Sequence, residues 1–291
     1  MDKIAKLRSD VINLNIQGAT NIALATLEAI KIVIGLGKEI NEMQEIVSQV
    51  AYARPAEPLA QNSLKYIFLD KNKPASHYLE KVTQYEKLIR EVKNTMAESA
   101  VSLIKNGGTY LTHCHSSTVV SMFTKAKNAG RKFSVLVTET RPRFQGRITA
   151  GELLKAGIED VTMIIDDVAP ALIEGKQKNI DSVFLGADLL GHEGFINKVG
   201  SLGIARMCQR EDKPLYCLSV LLKFNPAPFS PELLEDRGGS EIWEDAPVNL
   251  SFYAPAFDYV PYDTGVNIVN EKGILESRDL ADTVHSLYPW I

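Results

Sequence analysis

Thr109-Tyr110-Leu111-Thr112-His113-Cys114-His115-Ser116-Ser117-Thr118 is the stretch whose reading decides the fold. Asn106-Gly107-Gly108 breaks the chain before it, residues 109–112 favour a strand, and 118–127 carry Val119, Val120, Met122, Phe123 and Ala126 at helical spacing. The local order is strand, polar turn, helix, with Cys114 at the carboxyl end of the strand and beside the amino end of the helix. Open parallel sheets bind ligands outside the carboxyl ends of their strands, and a helix amino end offers unpaired N–H groups to anions. The same field predicts a stabilised thiolate. A free cysteine in apolar surroundings is usually a small core hydrophobe. Here His113, His115, Ser116, Ser117 and Thr118 surround the sulfur, which points to a reactive group.

Outward from this stretch, the two sides of the chain differ in texture. Residues 1 to about 105 read as helices at 21–34, 40–53, 59–69 and about 75–105, with apolar residues returning at helical spacing. Beyond Gly108, β-rich runs at 110–112, 133–137, 161–165, 182–185 and 215–218 alternate with helical ones, and a last strand is predicted near 266–269. Such alternation predicts right-handed crossovers and a parallel sheet covered by helices. The strands are near-continuous apolar runs, as buried parallel strands should be. The fold class is therefore α/β: a Rossmann-like parallel sheet domain over residues 106–291, preceded by a smaller all-helical domain over 1–105. Residues 226–255 hold five prolines and Gly238-Gly239, which predicts a long irregular excursion. No Gly-x-Gly-x-x-Gly follows the first strand, which argues against a dinucleotide enzyme.

Composition narrows the partners. The 291 residues are 45% hydrophobic and 23% charged, enough for a sizeable core. A net charge of -4, with lysines and arginines dispersed, gives no footprint for nucleic acid. Three cysteines, at 114, 208 and 217, fit a reducing, cytoplasmic setting better than a disulfide framework. The amino terminus lacks a signal-type apolar core, and the longest apolar candidate, 23–36, is interrupted by Thr26, Glu28 and Lys31, so no membrane span is expected.

Candidate chemistry gathers at the predicted strand ends. Thr138-Glu139-Thr140-Arg141-Pro142, Asp166-Asp167 and Gly186-Ala187-Asp188 should converge on one rim with Cys114. One of Asp166 and Asp167 is expected to cap the next helix. Asp188, between Gly186-Ala187 and a further loop at 189–194, is free to face a ligand. A thiol and a carboxylate shielded from water can shuttle protons at neutral pH if burial raises the acid and a positive dipole lowers the thiol. Residues 194–201 read as a small-residue loop feeding a helix to about 209, and its amides with Lys198 suit an anion, phosphate above all. Arg54, Arg141 and Lys223 stand at breaks beside apolar segments. Neighbours in extended geometry point to opposite faces, so His113, Cys114 and His115 are not expected to share a metal. Cys208 and Cys217 read as core.

Taken together, Thr112-His113-Cys114-His115-Ser116-Ser117, Thr138-Glu139-Thr140-Arg141-Pro142, Gln145-Gly146-Arg147-Ile148-Thr149-Ala150, Gly186-Ala187-Asp188, Asn197-Lys198-Val199-Gly200-Ser201 and Pro255-Ala256-Phe257-Asp258 resemble the family of sugar 1-phosphate isomerases and initiation factor 2B regulatory subunits. Within it the likeness is to archaeal-type isomerases that turn ribose 1,5-bisphosphate into ribulose 1,5-bisphosphate in nucleotide salvage. The resemblance implies a cofactor-free, metal-free enzyme that forms at least a homodimer, with Cys114 and Asp188 as the catalytic pair. It further implies that Gln17, Gly18, Ala19, Arg54, Ser116, Ser117, Asn197, Lys198 and Lys223 line the substrate and its phosphates, with His115 and Arg141 as auxiliaries. Cys114 is expected to exchange the carbon-bound proton and Asp188 to serve a ring or C2 oxygen. Two departures stand out: Gln17-Gly18-Ala19 where the isomerases carry Arg-Gly-Ala, and Val220-Leu221-Leu222 before Lys223 where they carry Glu-Thr-Tyr. The alternatives are an isomerase of 5-methylthioribose 1-phosphate and a non-catalytic regulatory subunit, which Gln17 favours and the Cys114–Asp188 pair disfavours.

Overall fold

The computed structural model describes residues 2–175 and 178–291. Five helices come first: α1 (Asp2–Ile12), α2 (Ala19–Gly35), α3 (Ile40–Ala51), α4 (Pro58–Ile67) and α5 (Ala75–Ala100). The helix α2 is the hub, buried along Ile22, Ala23, Leu27, Ile30 and Val33, and α1, α3, α4 and α5 all pack on it. A helix apolar on most of its circumference needs such neighbours, because its own hydrogen bonds bury no side chains. The sequence reading lacks α1 as a separate element, and a 3-10 turn at Val101–Leu103 ends the long helix before residue 105.

The chain then alternates: β1 (Thr109–Thr112), α6 (Ser117–Asn128), β2 (Ser134–Thr138), α7 (Gln145–Lys155), β3 (Asp160–Ile164), α8 (Val168–Ile173), β4 (Ser182–Gly186), β5 (Leu189–Leu190), β6 (Gly194–Lys198), α9 (Ser201–Arg210), β7 (Leu215–Leu218), β8 (Phe257–Pro261), β9 (Asn267–Asn270), β10 (Gly273–Leu275) and α10 (Leu280–Leu287). Seven strands form one sheet in the order β10-β9-β7-β4-β1-β2-β3, parallel except for β10. From β1 the chain steps outward through β2 to β3, then returns to β4 on the other side of β1. Right-handed crossovers put α6 and α7 on one face and α8 and α9 on the other, and within each pair the helices pack together.

That reversal sets the position of the site. β1 and β4 are neighbours with Thr112 opposite Phe184, so Cys114 and Asp188, each two residues past its strand's end, emerge at the same crevice. The order in which strands are added reverses there, and open α/β sheets bind ligands at such points.

Residues 194–201 depart from the expected loop. Gly194 to Lys198 form β6, the middle strand of a three-stranded antiparallel sheet with β5 and β8. The partner β8 lies some sixty residues downstream, so no local pattern announces the pairing. The excursion at 226–255 contains only short 3-10 turns and returns through an Asp236–Pro255 bridge to the rim of the crevice.

Candidate active site

A cavity of about 700 Å³ opens at the β1/β4 crevice, and Cys114 and Asp188 both line it. Gln17, Gly18, Ala19, Arg54, His115, Ser116, Ser117, Asn197, Lys198 and Lys223 line it too, so almost the whole set of sequence-derived candidates meets in one place. Arg141 does not. Its guanidinium lies 4.9 Å from the centre of the Phe144 ring and donates to the Ile242 carbonyl at 3.3 Å, outside the lining.

Cys114 is held by geometry that its neighbours impose. Its φ of 70° lies in the left-handed region, where a side chain with a Cβ costs about 1–3 kcal/mol unless the surroundings fix it. They do so through a chain of hydrogen bonds. The Cys114 N–H donates to Thr140 Oγ1 at 3.0 Å, the Thr140 and Thr138 hydroxyls are 3.0 Å apart, and Thr138 Oγ1 is 2.7 Å from His113 Nδ1. His113 Nε2 stands 2.8 Å from the Val199 carbonyl, which only accepts, so Nε2 carries the proton and Nδ1 receives the Thr138 hydroxyl. Burial lowers the His113 pKa, in keeping with a neutral ring. The strand-end loop of β1 is thereby tied to the β6–α9 turn.

The expected stabilised thiolate is not what this arrangement produces. Burial, with Asp188 adding to it, pushes the Cys114 thiol up to about 11, and the Lys198 ammonium offsets only part of this. The side chain is 7% exposed, so the desolvation cost of a bare sulfur anion outweighs the field of α6. Consistent with a protonated sulfur, Sγ donates to Gln145 Oε1 at 3.6 Å, and Gln145 Nε2 in turn donates to Gln17 Oε1 at 3.4 Å. Gln145 reaches the sulfur because α7 starts hard against β2: a Cβ on Gly146 would lie 1.7 Å from the Thr138 carbonyl oxygen. His115 is separate, 3.1 Å from Thr149 Oγ1, with its pKa lowered by burial. Cys208 and Cys217 are buried, and burial pushes both thiols up to about 12.

The acids divide in a way the sequence did not indicate. Neither Asp166 nor Asp167 makes a side-chain cap for α8; Asp166 instead accepts the Thr140 and Arg141 N–H groups at 2.7 Å each and holds the turn behind Cys114. Asp188 is half-buried, and its N–H donates to the Ile196 carbonyl at 2.8 Å, which fixes its backbone against β6. The amides at the start of α9, offered by the sequence to phosphate, are taken: Gly200 and Leu202 N–H donate to Asp258 at 2.8 and 2.9 Å. Asn197 and Lys198 still face the cavity, Asn197 held by Ser201 Oγ at 2.9 Å and Lys198 over the Phe257 ring.

The cations differ in how far they are neutralised. Arg54 Nη1 donates to Glu57 at 2.9 Å and Arg54 Nε to Glu235 at 3.1 Å. Burial works against its charge, yet Glu57, Glu235 and Asp188 keep it protonated. Burial also pushes the Glu57 carboxyl up to about 8 in spite of Arg54. Lys198 and Lys223 have no carboxylate within 4.0 Å among the described residues, and Lys223 donates to the Ala187 carbonyl, one residue before Asp188. Lys93, on a helix 21 residues before Cys114 in sequence, also enters the cavity wall. No local pattern marks it, because it is one of three lysines spaced along an amphipathic helix, with Lys81 and Lys87.

The fold is that of a doubly wound α/β protein whose switch-point cavity holds a thiol, a carboxylate and ammonium groups with no carboxylate within 4.0 Å among the described residues. The sequence matches the Initiation factor 2 subunit family over residues 15–277, and the chain belongs to that family. The ribose 1,5-bisphosphate isomerase of Methanocaldococcus jannaschii is 30% identical, with 100% of this chain and 97% of that protein aligned. The 5-deoxyribose 1-phosphate isomerase of Bacillus thuringiensis subsp. konkukian is 28% identical over 82% of this chain and 75% of its own length. The translation initiation factor eIF-2B of Pyrococcus horikoshii OT3 has the same fold, with a TM-score of 0.79 at 23% identity, covering 95% of this chain and 98% of that one. No helix among the described residues is long and apolar enough to cross a membrane.

Proposed function

We propose that this aldose–ketose isomerase of sugar phosphates acts on ribose 1,5-bisphosphate, giving ribulose 1,5-bisphosphate, with Cys114 and Asp188 as its proton-transferring pair. The observation that carries the reading is a single cavity that holds this pair together with Lys198 and Lys223, two ammonium groups without a carboxylate within 4.0 Å among the described residues. A methylthio group would ask for an apolar pocket, whereas Lys198 and Lys223, which unlike Arg54 carry no carboxylate partner within 4.0 Å among the described residues, suit a second anionic group. The full-length alignment with the Methanocaldococcus jannaschii isomerase supports the same choice.

The chemistry follows from the substrate. A sugar esterified at its anomeric oxygen has no anomeric hydroxyl to lose a proton, so ring opening is coupled to loss of the C2 proton. As that proton leaves, the C1–O4 bond breaks, O4 takes a proton and an enol phosphate forms. Loss of the C2 hydroxyl proton with protonation of C1 then gives the ketone. Cys114 removes the proton from C2 and returns one to C1, while Asp188 gives a proton to O4 and takes one from the C2 hydroxyl, so each group ends as it began. Since burial keeps the proton on sulfur, the pair first passes that proton from Sγ to the carboxylate, a transfer that Lys198 favours by stabilising the sulfur anion. The ammonium groups hold the phosphates while the carbon skeleton rearranges.

A substrate panel followed by 31P NMR tests the reading. Ribulose 1,5-bisphosphate is expected from ribose 1,5-bisphosphate, with slower or no conversion of 5-methylthioribose 1-phosphate and 5-deoxyribose 1-phosphate. Preference for either of the latter two moves the assignment to that sugar, and no turnover of any would remove it. We also propose that the protein assembles into at least a dimer: Ile148 and Leu154 of α7, Met163 of β3 and Ile165 beyond it remain 42–64% exposed on neighbouring elements, an apolar face for a second copy. Sedimentation velocity tests it, and a monomer at micromolar concentration would remove it.

A further inference from the structure

We infer that Lys93 is a substrate-binding residue, the cation that seats one phosphate of the sugar between the amino ends of α2 and α6. This rests on reading the cavity as a sugar-phosphate site. Lys93 Nζ donates to Thr20 Oγ1 at 3.2 Å and to Ser117 Oγ at 3.0 Å, hydroxyls on the first turns of those two helices, and all three residues line the cavity. The ammonium has a third N–H for a ligand. No carboxylate lies within 4.0 Å of it among the described residues; Glu152, on the α7 side of the cavity, acts on it only at longer range.

The side chains in direct hydrogen-bond contact with Lys93 here, Thr20 and Ser117, carry no charge. Gln17 is neutral, and its amide nitrogen is spent on the Leu14 carbonyl at 2.7 Å. Among the described residues no side chain accepts from the first-turn amides of α2 or α6, whereas Asp258 takes those of α9, and Ala19, Thr20, Asn21, Ser117 and Thr118 of those first turns line the cavity. Arg54 has two carboxylates of its own. A phosphate bound here would take the amides of two helix starts, two hydroxyls and one unpaired ammonium. Burial, with Lys223 nearby, pulls the Lys93 ammonium down to about 8 against the opposing pull of Glu152, so it is charged at neutral pH and loses its charge in mildly alkaline solution. His115, also on this side of the cavity, has its own pKa lowered by burial and is neutral in that range.

Lys93→Met and Lys93→Arg, each with its thermal midpoint measured, test the inference through KM and kcat for ribose 1,5-bisphosphate between pH 6.5 and 9.5. Lys93→Met should raise KM about 10–100-fold, the loss of one charge-assisted contact, with kcat changed less than about threefold. Lys93→Arg should stay within about threefold of the unmodified protein, and the rise in KM expected of the unmodified protein above about pH 8 should vanish in it. Gln17→Arg in the Lys93→Met background should recover part of the loss by restoring a cation to the same corner. A KM within twofold of the unmodified value in Lys93→Met, or equal loss in both Lys93 variants without a KM change, would overturn it. If no sugar phosphate is turned over at all, the catalytic reading fails separately. Inorganic phosphate titrated by 31P line broadening then decides for Lys93: weaker binding in Lys93→Met sustains the seat, and equal binding removes it.

Discussion

Iodoacetamide should reach Cys114 slowly at neutral pH and faster by a factor of ten for each pH unit. The reagent reacts with the thiolate, and burial reinforced by Asp188 pushes this thiol up to about 11. At pH 7 a thiol of that kind is ionised in about one molecule in 10,000, against about three in 100 for a free cysteine near 8.5, so the electrostatic retardation alone is about 300-fold. The side chain's 7% exposure slows access further without altering the slope. Labelling rates between pH 7 and 9.5, resolved by peptide mass mapping, separate Cys114 from Cys208 and Cys217, whose thiols burial pushes up to about 12 and which should lag behind it. A plot of log rate against pH should climb with unit slope and show no plateau below 9.5. Rapid labelling at pH 7, or a midpoint at or below 8.5, would show that the field of α6 governs the sulfur, and the proton transfer to Asp188 that opens the proposed mechanism would then be unnecessary.

Cys114→Ser and Asp188→Asn should each abolish turnover and leave the thermal midpoint within about 2 °C of the unmodified protein, since a conservative change beside a cavity costs little packing; full activity in either removes that residue from the proton-transferring pair. Thr140→Val takes away the acceptor of the buried Cys114 N–H and should cost about 1–3 kcal/mol in urea unfolding together with a fall in kcat, whereas unchanged values of both would mean that the left-handed turn at Cys114 holds itself. Gly146→Ala places a methyl group against the Thr138 carbonyl and should destabilise the fold by more than about 2 kcal/mol, with Gln145 drawn away from the sulfur; a neutral outcome in a urea melt would contradict the close approach of α7 to β2.

Periodicity in the sequence was enough for the alternating elements from β1 to α6 and from β2 to β3, and chirality turned that alternation into a doubly wound sheet with Cys114 and Asp188 at strand ends. These features depend on residues within a turn or two of each other, so a local pattern encodes them. What only the tertiary structure decided depends on distant segments. β6 is a strand because β8, far downstream, pairs with it, and the α9 amides are unavailable because Asp258 arrives from that same strand. Lys93 faces the cavity because α5 passes beside the starts of α2 and α6, and Arg54 is neutralised because the 226–255 excursion delivers Glu235. The thiol shows the contrast most directly. Sequence placed it in the field of a helix amino end, but its ionisation is governed by how much water the whole fold removes from around it, a sum over every segment that packs there.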